Sequence, residues 1–434
     1  MADLLDLSSR IIDSGIADQP VNRVTQELSE VAEDLAVVES FSHSVALRSP
    51  EGAVVFDCSG AATGAEVAAA VLGWAATPVH TVVYTHGHVD HVGGSGAFLA
   101  ASERAGHPRP VFVAHEAVGE RFRRYRLTDA WNLLINGRQF GWLRDRALRV
   151  GGPDAAHFLP RDVVEPDHTY SERTSVSVGG MRVDLRHARG ETDDHTWAWI
   201  PDRRAVCAGD FLIWNFPNAG NPQKVQRYPW EWAAALREMA SLRPELLLPA
   251  HGLPVAGEQR IARVLDDVAG ALETLVEQVL GMMNDGASLD DIVHGVALPA
   301  ETLARPYLRP LYDEPEFVVR NVWRYYGGWW DGNPARLKPP ADRVVAAEVA
   351  AMAGGAAALA ARAGEVADAG DLRLACQLVE WAAQAAPDDA GVHRSRAELY
   401  GRRRAEESSL MTKGIFSWAV RESQERAGDT QGRA

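Results

Sequence analysis

The stretch YTHGHVDHVGG, residues 84–94, sets three histidines and an aspartate into six positions, His86 to His91, directly after the apolar run VHTVVYT. That run reads as a β-strand. A chain that ends a strand in HxHxDH must gather those side chains at one sheet edge, which restricts it to folds that carry metals there. In extended backbone, positions i and i+2 point the same way, so His86 and His88 can share one metal. Asp90 and His91, past a bend, then point at a second. Gly87, Gly93 and Gly94 let the chain bend without a Cβ clash. Imidazoles and a carboxylate suit zinc, with iron or manganese as the other candidates.

Four ligands cannot complete two sites, and three later segments supply more. HARGETDDHTWAWI offers Glu191 and His195, VCAGDF offers Asp210, and LLLPAHG offers His251. The last two each close an apolar run that reads as a strand. Around them short β-rich runs alternate with helical ones from about Leu35 to Ala250. LAVVESFSHSVALRS and GAVVFDCSG read as paired strands with a turn at PEG, and TWAWIPDRRAVCAGD as a pair joined at PDR. AEVAAAVLGWA and GAFLAASERAG read as helices. Strands paired in both senses with helices outside imply a layered α/β architecture rather than a simple doubly wound sheet.

Residues 116–150 interrupt this rhythm with a segment helical in parts. Within 121–149 it holds eight arginines against two aspartates, a local excess of six positive charges in a chain of net charge −15. The expectation is a lid that draws anions towards a site below it. From about Gly257 the strand pattern gives way to helices. EQRIARVLDDVAGALETLVEQVLGMMNDG reads as one long amphipathic helix, and residues 341–425 as alanine-rich helical hairpins, similar to tetratricopeptide units, broken at AGD and AAPDDAG.

The order of these motifs resembles the metallo-β-lactamase superfamily. The resemblance implies an αββα sandwich with two metals, one held by His86, His88 and Glu191, the other by Asp90, His91 and His251, with Asp210 bridging. Most members carry a histidine where this chain has Glu191. The glutamate in GETDDHTW resembles the zinc alkylsulfatases, the type III sulfatases of the superfamily. LYDEPEFVVRNVWRYYGGWWDGNPARLKPP is similar to the segment by which those enzymes enter their helical dimerisation domain, and INGRQFG to part of their lid. Asp210 departs from the alkylsulfatase pattern, which has a glutamate at the bridging position. The sequence stops where the larger alkylsulfatases continue into a sterol-carrier-like domain, and on that resemblance a substrate smaller than a surfactant is expected.

The implied organisation is a catalytic domain over 20–270, a helical connection over 271–340 carrying substrate-site aromatics (Trp323, Trp329, Trp330), and a helical domain over 341–425 through which the chain forms a homodimer. The implied activity is that of a dinuclear metal-dependent hydrolase of an organic sulfate ester, with a metal-bound hydroxide as nucleophile. Two divalent ions, three carboxylates and one hydroxide sum to about zero, whereas a histidine in place of Glu191 would leave the site positive. Asp90, His195 and Tyr326 are expected to take part in the chemistry, Tyr326 by its likeness to the alkylsulfatase tyrosine that places the sulfate or the leaving oxygen. Asn218, Lys224 and Arg227, in the segment after Asp210, and Arg320 are expected to bind the anionic substrate. A lactone, ester or phosphoester hydrolase on the same metals, and a metal-holding interaction protein built on the helical repeats, are the alternatives.

Composition limits the partners. The 434 residues are 46% hydrophobic and 24% charged, ordinary for a globular chain. A net charge of −15 repels phosphate backbones and speaks against nucleic acid. Cys58, Cys207 and Cys376 form no CxxC pair and fit a reducing, cytoplasmic setting. The start shows no export pattern, and the most membrane-like stretch, VAAEVAAMAGGAAALAARAG, is interrupted by Glu348.

Overall fold

Several runs are apolar at consecutive positions, so their strands need cover on both faces. A computed structural model describes residues 4–140 and 157–429 and shows how that cover is made. The first sheet has seven strands, side by side in sequence order: β1 (Leu28–Ala32), β2 (Leu35–Val38), β3 (Ser44–Ser49), β4 (Gly52–Phe56), β5 (Val79–Val83), β6 (Val111–His115) and β7 (His168–Tyr170). Pairing is antiparallel from β1 to β4 and parallel from β4 to β7. The second sheet holds β8 (Arg173–Val178), β9 (Met181–His187), β10 (Thr196–Ile200), β11 (Ala205–Gly209), β12 (Leu246–Pro249) and β13 (Val255–Ala256), again adjacent in order. There only β11 and β12 run parallel.

Alternation then distributes the side chains. Leu35, Val37, Val54, Phe56 and Val83 of the first sheet share one apolar cluster with Val183, Leu185, Ala198, Ile200 and Leu248 of the second. The opposite face of the first sheet gives Val38, Val55 and Val82 to a cluster with Val67 and Val71 of the helix Gly64–Ala75 and Phe98 of the helix Ser95–Arg104. Beyond the second sheet, Trp197, Val206 and Leu247 pack with Trp232 of Pro229–Ser241 and with Leu265 and Leu272 of Glu258–Asn284. The result is the αββα sandwich.

Two details depart from the sequence reading. LAVVESFSHSVALRS is two strands, because residues 39–43 leave the sheet to brace the turn around His251. His43 N–H donates to the Ala250 carbonyl at 2.7 Å, and its Nε2–H donates to the Gly252 carbonyl at 2.8 Å. The helix Leu4–Ser14, whose Leu4, Leu7 and Ile11 enter the core at helical spacing, was not anticipated.

The chain divides into two compact units. The first holds the sandwich and runs to Tyr326. The second runs from Gly327 and takes in the end of the helix Asp129–Gln139, from Ile135. Its helices Ala356–Asp368, Leu372–Ala385, Ala390–Glu406 and Leu410–Arg426 follow one another, with Ala363, Ala375 and Ala382 in their shared core beside Leu359, Val379 and Leu399. The breaks at AGD and AAPDDAG carry the caps: Asp371 accepts from Leu374 N–H, and Asp389 from Gly391 and Val392 N–H. Among the described residues no single helix is long and apolar enough to cross a membrane.

Candidate metal centre

Strand ends bring the ligand-type residues together. β5 leads into His86 and His88, and the short helix Val89–Val92 carries Asp90 and His91. Glu191 lies between β9 and β10, Asp210 directly follows β11, and His251 follows β12. The bulge before Asp210 requires glycine: Gly209 sits at φ +55°, where a Cβ would meet His195 Nε2 at 2.8 Å and Thr85 Cβ at 2.9 Å. Gly87, Gly93 and Gly94 all have negative φ, so they serve close approach rather than a left-handed bend.

Two groups result, His86, His88, Glu191 and Asp210 in one, Asp90, His91 and His251 in the other. Asp210 faces both. Its Oδ2 lies 3.7 Å from His86 Nε2, and its Oδ1 lies 3.4 Å from both His91 Nε2 and His251 Nε2. Asp90 Oδ2 lies 3.5 Å from the same two nitrogens. A tetrahedral ion with bonds of roughly 2.1 Å needs donors roughly 3.4 Å apart. His91 Nε2 and Asp210 Oδ1 are buried and without a hydrogen-bond partner. In the first group His88 Nδ1 lies 2.8 Å from His86 Nε2 and 3.5 Å from Glu191 Oε1. These donors fit a pair of divalent ions.

The electrostatics agree. Burial, then the neighbouring His91, holds His86 well below the ordinary histidine range, and burial with Arg227 does the same to His88, so both keep the neutral form a metal requires. Burial opposes charge on His251 too, but Asp210 and Asp90 outweigh it and push that ring up to about 10. His91 is driven up likewise by Asp210, Asp90 and Asp57. The second group thus recruits positive charge even as bare side chains.

Residues outside the ligand set fix their orientation. Asp57, at the end of β4, accepts from His91 Nδ1 at 2.7 Å and is itself held by Thr85 N–H and Oγ1–H, both at 2.7 Å. This would present the Nε2 lone pair of His91 to a bound metal. The sequence reading passed over Asp57; an aspartate closing a strand beside the histidine strand was its only signal. Arg227 is buried on Glu191, donating to its carbonyl, with a second guanidinium nitrogen 3.4 Å from Oε1. Asn218 Nδ2 donates to the same Oε1. Both were expected on the substrate, but they grip the glutamate, and Arg227 returns the charge that the neutral sum assigned to Glu191.

Other expected residues take different places. His195 is fully buried, accepts the Asp210 N–H on Nε2 at 3.2 Å, and stacks on Phe211. Burial holds it down to about 3, which suits a neutral support for Asp210. Arg320 pairs with Glu316 at 3.0 Å on an exposed helix face. Tyr326 is 47% exposed and packs on Tyr325. Tyr312, which the sequence reading missed, is half-buried, and after burial its hydroxyl is affected most by Glu191 and Asp90. Lys224, also half-buried, sits with Nζ 5.6 Å from the Phe158 ring, and burial followed by Arg227 presses it down to about 7. The arginines of the expected lid are largely spent: Arg121 on Asp193 and Asp194, Arg123 on Glu120, Arg126 on Glu165, Arg138 over Trp418. Residues 144, 146 and 149 lie outside the described residues.

Comparison with known proteins decides the family. Residues 37–251 match the metallo-β-lactamase superfamily, and residues 288–426 match the alkyl sulfatase dimerisation domain. The chain carries a metallo-β-lactamase domain and an alkyl sulfatase dimerisation domain. A linear primary-alkylsulfatase from Pseudomonas is 26% identical over 354 residues, 79% of this chain and 66% of that one. An alkyl/aryl-sulfatase of Saccharomyces cerevisiae is 26% identical, covering 74% and 50%, and an (R)-specific secondary-alkylsulfatase of Pseudomonas 27%, covering 69% and 47%. The chain therefore spans about half to two thirds of those relatives' length. The solved structure of a stereoselective inverting sec-alkylsulfatase from Pseudomonas superposes with a TM-score of 0.80 at 22% identity, over 92% of this chain and 66% of that one, a likeness of fold.

Proposed function

We propose that the chain hydrolyses alkyl sulfate esters at this centre with two zinc ions bound. The observation that carries the reading is Asp210 set between two ligand groups, one of which contains Glu191 where a histidine is the common choice. The named relatives, all alkylsulfatases, point to the same bond. When bound, the ions supply Lewis acidity and a water acidified to a pKa of roughly 7. His86, His88 and Glu191 would hold one ion and Asp90, His91 and His251 the other, with Asp210 common to both. Asn218 and Arg227 keep Glu191 in place. Lys224 and Tyr312 are the candidates for receiving the sulfate oxygens, one as a cation and one as a hydroxyl donor. The exposed apolar residues Trp329, Val344 and Met352 of the second unit fit a homodimer formed through that unit.

The test is a panel of primary and secondary alkyl sulfates, lactones and phosphoesters with the zinc-loaded protein, following sulfate release by ion chromatography. Release from at least one alkyl sulfate is expected. No sulfate from any of them, beside turnover of a lactone or phosphoester, would sink the proposal.

A further inference from the structure

The helix Ala117–Leu127 turns one arginine inward. Arg121 is 2% exposed; its Nε donates to Asp194 Oδ2 at 2.6 Å, and its terminal nitrogen donates to Asp193. Asp194 is fully buried, and the same Oδ2 accepts the Gly87 N–H at 3.1 Å. Gly87 lies between His86 and His88, and Asp193 and Asp194 lie just past Glu191. One ion pair thus ties together the segments that furnish His86, His88 and Glu191 of the first ligand group. The fit is close: a Cβ on Gly87 would meet Arg121 Cδ at 2.9 Å and Asp194 Oδ2 at 3.0 Å.

Burying such a pair costs desolvation that its attraction only partly repays, so an apolar pair of similar volume would serve stability as well. What an apolar pair cannot do is accept the Gly87 N–H. The second group already has an outer carboxylate of its own, Asp57 on His91. We propose that Arg121 and Asp194 are positioning residues that set the metal affinity of the half-site formed by His86, His88 and Glu191. The proposal rests on reading that cluster as a metal site, and it is independent of the ester cleaved.

The experiment uses the full chain with Arg121→Met, Asp194→Leu and the two combined. Both zinc affinities are measured by chelator competition, cobalt spectra assign each affinity to its half-site, and metal-free melting is recorded alongside. Each single variant is expected to lose about 10- to 100-fold in the affinity of the first half-site, with the second unchanged. The double variant should recover part of the metal-free melting temperature that the single variants lose, the Gly87 N–H being left unpaired, and still bind the first zinc weakly. If the single variants fold poorly, Arg121→Lys, which keeps the charge but not the fork, should fall between wild type and Arg121→Met in first-site affinity. Equal loss at both half-sites, no loss at either, or recovery of zinc affinity by the double variant would show a purely structural pair and overturn the proposal. Failure to cleave any sulfate ester leaves this readout intact, because no substrate enters it.

Discussion

Tyr312 is half-buried within electrostatic reach of Glu191 and Asp90, whereas Tyr326 is 47% exposed against Tyr325. A phenol that donates to a charged sulfate oxygen contributes about 1.5–3 kcal/mol. Tyr312→Phe should therefore lower kcat/KM for alkyl sulfates by at least about 10-fold, and Tyr326→Phe should stay within about two-fold of wild type. Steady-state kinetics on both variants checks this, and a larger effect at Tyr326 would reverse the assignment. The contrast shows what residue type reveals. HxHxDH and the two strand-end groups of Asp210 and His251 were readable because they have no other common reason to be arranged so, whereas Glu191 was picked out from beside His195 only through the family resemblance. The roles of Arg227 and Asn218 were not readable, since an arginine's function depends on which carboxylate it meets, and Glu191 is separated from Arg227 by thirty-six positions of chain.

The segment after β11, from Trp214 to Trp232, carries Asn218 and Arg227 and has little regular structure before its closing helix, so something else must hold it. Asp313 does: fully buried, it accepts from Gly220 N–H at 2.7 Å, Asn221 N–H at 3.1 Å and Glu314 N–H at 2.8 Å. Asp313→Asn turns one acceptor oxygen into a donor facing backbone donors. It should cost about 2 kcal/mol, seen as a lower urea midpoint at unchanged slope, and should weaken kcat/KM by loosening the grip on Glu191. An unchanged midpoint would show that the loop is held by its packing. At this scale the strands with long apolar runs were legible, β5, β6, β11 and β12 among them. β1, β7 and β13 were not: every residue of β1 and β7 is half-buried or exposed, and β13 is only two residues long, so neither alternation nor an apolar run marks them.

Both sheets contribute to the centre. The first provides His86, His88, Asp90 and His91 after β5; the second provides Glu191, Asp210 and His251 around β10, β11 and β12. Two bound ions would thus join the sheets at one edge and be absent from the unfolded chain, so their binding free energy becomes folding free energy. The second unit has an apolar core of its own, with no candidate ligand group among its described residues. Chelation should therefore act on one unit alone. With zinc at about a thousand times the dissociation constant of each site, removing both ions costs the sandwich roughly 8 kcal/mol, on the order of 12 °C in its melting temperature. The transition of the helical unit, followed in parallel by far-ultraviolet dichroism, should stay where it was. Calorimetry with and without chelator reads both transitions in one scan. If both fall together, the two units melt as one cooperative body; if neither moves, the seven side chains bind no stabilising ion.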